Sequence, residues 1–437
     1  MSDFLQQALR LEPDSVPAWL SPFRSETGES RADLRLPTRR VEEWKYTSLK
    51  ALEDGEYLRR PQPGPVDADV RELVAVSELD AHTLVFVNGA FNAALSDSAA
   101  LPTGCTLVPF SNASEAEAAA IREHLGSLAP SSQPFVALNN HWLEEGVFLR
   151  VARNTRVSKP LQLVWLTTPQ EQSFSVAQRL LVVLEEGSEA TVLEHFASSD
   201  SSQNAFTTGV TEMVVGANAC LHHYRLHLEQ SDALHIGSVH VELARDARIN
   251  GYHVALGSTL KRIDLMVHHR GQGAHSELNG IYVPRNDELV DYHTTLEHEV
   301  PHTSSEETFR GIVSDRARAV FSGRIHIHPH AQKTSAHLNN RNLLTSNTAE
   351  VDTKPELEIY ADDVQCSHGA TVAQIDAGQL HYLRTRGVPQ QEAEVLLSFG
   401  FLNELLNRSP LEPVRQYIRP RLAEQFARDP NLTRHLL

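Results

Sequence analysis

The residues with the most chemical reach in this 437-residue chain gather near its C-terminal end, in "EIYADDVQCSHGATV" (358–372). Cys366 and His368 stand two apart there, and Cys366 is one of only three cysteines. A thiol and an imidazole this close can share a metal ion, act as nucleophile and base, or sit as a small core side chain beside a surface ring. Val364, Cys366 and His368 share parity, so on a strand all three face one side. As metal ligands they supply two of the roughly four that a stable site needs. A nucleophilic pair is less favoured, because such pairs usually come from distant segments. On the C-x-H spacing alone, a core thiol beside a surface histidine outweighs chemistry.

A second group is "RIHIHPHAQKT", which sets His326, His328 and His330 on one strand face. The comb resembles a metal site, but no carboxylate or thiol interleaves with it and Pro329 disturbs the strand, so a solvated or stacked row of histidines is expected. Asp352, Glu356 and Glu358 could act as acid or base; a charged edge that blunts aggregation is the commoner role. "LHHYRLH" and "MVHHRG" put adjacent histidines on opposite faces. The chain contains no G-x-x-x-x-G-K-[ST], and "GQGAHS" is a weak glycine signal. If ATP drives this protein's work, another chain must hydrolyse it.

The elements that must carry these groups fall into three stretches. Residues 1–150 read as mainly helical: "DFLQQALRL" and "EAEAAAIREHLGSLA" have helical apolar spacing, the second after the N-cap cluster "SNAS". Between them "HTLVFVNGAFN" predicts a strand closed by an Asn-Gly turn, and "RPQPGPVDADV" (60–70) a proline-rich connector. Residues 151–383 alternate apolar and polar in short runs such as "RLLVVLEE", "ATVLEHFA" and "RIDLMVHH". Units opening on Gly, Asn or Asp recur, and Gly187, Gly216 and Asp246 are spaced by 29 and then 30 residues. A strand repeat of this length favours a mainly β fold, a β-helix or solenoid, over a β-sandwich. Residues 384–437 return to helix, with Pro420 expected to kink or break the last one.

Composition narrows the function classes. Three widely spaced cysteines and no C-x-x-C argue against a disulfide framework, a zinc ribbon or a four-thiolate cluster within one chain. A formal net charge of −17 without a basic stripe argues against nucleic acid. No run approaches the ~18 consecutive apolar residues of a membrane span. The N-terminus lacks the basic-then-apolar pattern of a secretory signal, so a cytoplasmic location is expected.

"LPTRRVEEWKYTSL" (36–49), "RNLLTSNTAEVDTKPELEIYADDVQCSHGATVAQID" and the following "YLRTRGVPQQEAEVLLSFGF" resemble the SufB/SufD family, on its SufD side. The resemblance covers essentially the whole chain. It implies a right-handed parallel β-helix between helical segments and a non-enzymatic scaffold subunit of the SUF iron–sulfur cluster assembly system. The implied partners are a SufB-like subunit and a SufC-like ABC ATPase docking on about 385–425, with a homodimer as the assembly in isolation. The implied cofactor is a transient iron–sulfur cluster at the subunit interface, liganded from both chains, with a flavin as a further candidate in the full complex. The histidine of the C-S-H-G motif, His368, is the implied ligand, with Cys366 beside it. SufB members carry extra cysteines; here Cys366 is the only one after Cys220, which suits a chain that lends one or two ligands to a shared site. The rival reading is a β-helix enzyme acting on polysaccharide, a class that is usually secreted.

Overall fold

In the computed structural model the alternating stretch forms two facing, mostly parallel sheets wound as a β-solenoid of about seven turns. The structure describes residues 3–13, 15–27, 34–58, 60–61, 70, 75–97, 101–168, 170–200 and 205–426; most of the proline-rich connector and the last eleven residues lie outside these. From Val147–Val151 to Gln365–Gln374 successive strands alternate between the sheets. One sheet has nine strands and ends on Glu350–Ile359; the other has ten and ends on Gln365–Gln374. The strand His82–Val87 and its Asn88-Gly89 turn form as expected, and the strand pairs in parallel with Leu161–Thr167, extending the ten-stranded sheet.

The winding follows from the corners. Gly187, Asn218, Asp246 and Gly273 all adopt positive φ, between 55° and 76°. Asn and Asp tolerate this conformation and glycine does so freely, which is why the repeat opens on these three types. Each corner amide then donates to the next coil: Asn218 N–H to the Arg245 carbonyl at 2.8 Å, Asp246 N–H to that of Gln272 at 2.9 Å. Between the sheets, the inward sides of successive strands bury Leu, Val, Ile, Phe and Tyr in a single continuous core, against which Val351, Leu357 and Cys366 of the last two strands are only partly buried. Stacking repeats side-chain columns coil after coil, as with the register partners Tyr292 and Phe321, and rings also meet across the core between the sheets, as Phe309 and Phe321 do at 4.9 Å.

The helical stretches cover opposite outer faces. Phe4, Leu52, Phe135 and Trp142 pack on Phe206, Ile236 and Leu260 of the nine-stranded sheet. The expected helix after "SNAS" spans Glu115–His124 and opens on a capping box between Ser114 and Glu117. The "EEWKYTSL" stretch is pinned by Arg262, whose guanidinium lies 3.8 Å from the Trp44 ring centre and donates to the Glu43 carbonyl and to Asp291. At the C-terminal end, Phe399, Leu402, Leu405, Ile418 and Leu422 pack on Tyr224, Tyr252 and Ile281 of the ten-stranded sheet. The helix Glu412–Phe426 continues through Pro420 and is not broken there; burying Val414, Ile418 and Leu422 on the sheet outweighs the lost backbone hydrogen bond.

Helices lie on the sheet faces, and among the described residues no strand lies beyond the last coil. Neither Glu350–Ile359 nor Gln365–Gln374 pairs on its far side. Among the described residues, no helix is long and apolar enough to cross a membrane.

Candidate functional site

Cys366 and His368 stand on that last strand of the ten-stranded sheet, opposite Ala336 and Leu338 of the preceding coil. Ala336 and Leu338 are buried in the inter-sheet core. Register therefore turns Cys366 and His368 toward the inside of the solenoid, as their shared parity requires. Cys366 is half-buried against the core, whereas His368, where a further coil would lie over it, is exposed. Neither side chain makes a hydrogen bond or ion pair with another described side chain. Burial pushes the Cys366 thiol above its usual range, partly offset by a backbone hydrogen bond with Ala336. The isolated chain thus presents a neutral thiol and an open imidazole on one rim.

The neighbouring acids are engaged. Asp352 pairs with Arg318 at 3.2 Å, Glu356 with Lys354 at 3.3 Å and Glu358 with Arg324 at 2.7 Å. They form a charged edge, as their sequence suggested, and none is poised as a free acid or base. Lys354 also reaches Glu42 of the N-terminal signature at 2.6 Å.

The histidine comb departs from its sequence expectation. His326 and His328 close on Glu297, at 2.6 and 2.8 Å, while His330 turns away into the corner after the strand ends at Ile327. A carboxylate does interleave with the comb; it comes from the previous coil, where Glu297 pairs in register with His326. The separation of 29 residues equals the repeat read between Gly187 and Gly216, so the pairing was legible once the repeat was used to stack residues.

A second Cys-x-His pair passed unremarked in the sequence. Cys220 and His222 lie in the middle of the ten-stranded sheet, with Sγ and Nε2 3.7 Å apart. Asn250, one coil on, donates to both, at 3.8 Å to the sulfur and 3.3 Å to Nδ1. Burial raises the Cys220 thiol, helped by the Glu189 carboxylate, and lowers the His222 imidazole. The plain C-x-H spacing was the available signal.

Comparison with known proteins agrees with this architecture. Residues 166–401 match the SufBD core domain of SUF-system iron–sulfur cluster assembly, and residues 2–163 match the SufBD N-terminal region. The chain belongs to the SufBD family. Iron–sulfur cluster assembly protein SufD of Escherichia coli is 35% identical over 90% of this chain and 89% of its own length. A SufBD family iron–sulfur cluster assembly protein of Synechocystis is 31% identical over 88% of this chain and 86% of its own. SufD of Bacillus subtilis is 25% identical over 93% and 94%. Membership of the SufBD family ties the chain to iron–sulfur cluster assembly.

Proposed function

We propose that this chain is a non-catalytic scaffold subunit that lends His368 first, and Cys366 second, to a nascent iron–sulfur cluster completed by a second, SufB-like subunit. The observation that carries the reading is position: both groups stand on the terminal strand, which has no neighbour on its far side among the described residues. An ion bound there takes its remaining ligands from another chain. Both terminal strands offer a free row of backbone N–H and C=O groups, the template on which a second sheet adds. Beside them Val372 is 44% exposed and Tyr360 61%, apolar surface that a docked subunit would cover. A SufC-like ATPase would supply nucleotide hydrolysis, docking on the C-terminal helices Ala377–Arg384, Gln390–Leu406 and Glu412–Phe426.

The chemistry at the rim is ligation. Iron binds the thiolate and the neutral imidazole, so loading displaces the Cys366 proton and weakens as pH falls. The test is to co-express the chain with SufB-like and SufC-like partners and measure iron and sulfide in the purified complex. His368→Ala leaves folding and complex assembly intact and lowers cluster yield; normal yield in that variant sinks the assignment.

A further inference from the structure

We propose that Glu297, His326 and His328 form a binding site for one divalent transition-metal ion of the Fe(II), Co(II) or Zn(II) class. The site faces outward from the nine-stranded sheet, away from the inward rim of Cys366 and His368, and its existence does not depend on their role.

The donor set is built by the winding. Glu297 and His326 are register partners on adjacent strands. His328 follows on the same side, just past the strand end, with its backbone N–H held 3.0 Å from the His298 carbonyl. His326 Nδ1 and His328 Nε2 lie 2.6 and 2.8 Å from the same oxygen, Glu297 Oε2. The three ligand atoms all fall within 4.8 Å of one another. Two imidazoles and one carboxylate are the three protein ligands of many open zinc sites and of non-haem iron(II) sites, with further positions left to solvent or substrate.

Outer groups hold these ligands in place. Arg324 donates to the other Glu297 oxygen, Oε1, at 2.9 Å, and its remaining N–H groups reach Glu358 at 3.0 and 2.7 Å. That leaves Oε2 directed at the two rings. The His326 ring stacks on His328 at 4.2 Å and meets the edge of Tyr360 at 5.5 Å. Such orienting partners are the usual second layer of a metal centre.

Both rings direct a nitrogen at the one oxygen Glu297 Oε2, and Arg324 Nη2 approaches His326 Nδ1 at 3.3 Å while keeping its own bond to Glu358. A cation between Oε2 and the two ring nitrogens uses all three lone pairs and releases the ring protons. The side chains of Glu297, His326 and His328 are 14%, 18% and 37% exposed, so an ion enters past His328. Three protein ligands and open positions make that ion exchangeable, unlike one in a closed four-ligand structural site.

The test titrates the full-length chain anaerobically with Co(II), followed by its visible spectrum, and with Zn(II), followed by calorimetry. The expected result is one ion per chain. Glu297→Gln keeps the shape and the Arg324 contact, and the double variant His326→Ala/His328→Ala removes both rings. Each should weaken binding at least about 100-fold, beyond the roughly 10–100-fold cost of disturbing an outer-shell partner, with unchanged thermal melting. Cys366→Ser/His368→Ala should bind as the parent does. The proposal is overturned if the parent takes up no Co(II) at roughly 0.1 mM metal, if Glu297→Gln binds like the parent, or if uptake is lost only with Cys366 and His368.

Discussion

Cys220 with His222 and Cys366 with His368 share one spacing on one sheet, yet they meet opposite fates. Stepping through the parallel register, Cys220 stacks in the column of Gln365, and Leu221 in the column of Cys366. The two pairs therefore face opposite sides. In the middle, strands on both flanks complete the ladder and Asn250 ties thiol and ring together. At the end no strand follows among the described residues, and His368 is left open where Leu338, one coil earlier, is buried. A Cys-x-His motif thus acquires its chemistry from its place in the stack. In the middle coil the Cys220–His222 pair has an internal partner in Asn250, and in the terminal coil His368 is exposed.

Substitutions matched across the stack sharpen that contrast. The largest effect on the folded chain is expected in the middle: Phe309 is fully buried against Tyr292 and Phe321, and Phe309→Ala should cost about 3–5 kcal/mol in urea unfolding. A loss as small as that of a surface change would show that the coils do not share one continuous core.

Acid should also act on the middle. Burial pushes His240 down to about 4, from an ordinary value of 6.5. Between those values the unfolded chain binds a proton that the folded chain refuses. Stability is therefore lost as pH falls from 6.5 toward 4, on the order of 3 kcal/mol for this ring. His240→Asn should flatten that part of the unfolding profile. An unchanged profile would contradict a neutral, sealed imidazole.

The smallest effect on stability belongs to the end. Val372→Lys alters an exposed side chain of the terminal strand and should change unfolding by no more than about 0.5 kcal/mol. The same change should release the SufB-like subunit during purification. Retention of the partner would place the interface elsewhere.

Much of this was legible in the residues. Alternation and a repeat near 29 residues predicted the solenoid, and "DDVQCSHGATV" marked the rim. Glu297 was missed because its partners His326 and His328 lie a coil away, and local spacing conceals a neighbour that only stacking supplies. Pro420 does not end its helix because propensity is local while the buried stripe of Val414, Ile418 and Leu422 is tertiary. The exposure of His368 could not be read from its parity, which points inward; it follows from the stack ending there.

The most direct measurement compares the two pairs in one preparation. The chain is co-purified with its SufB-like and SufC-like partners, reconstituted anaerobically, and assayed for iron, sulfide and visible cluster absorption. His368→Ala should lose cluster while His222→Ala retains it, with both complexes assembled. Equal yields from the two variants, or loss only in His222→Ala, would contradict a shared cluster site at the open end of the solenoid.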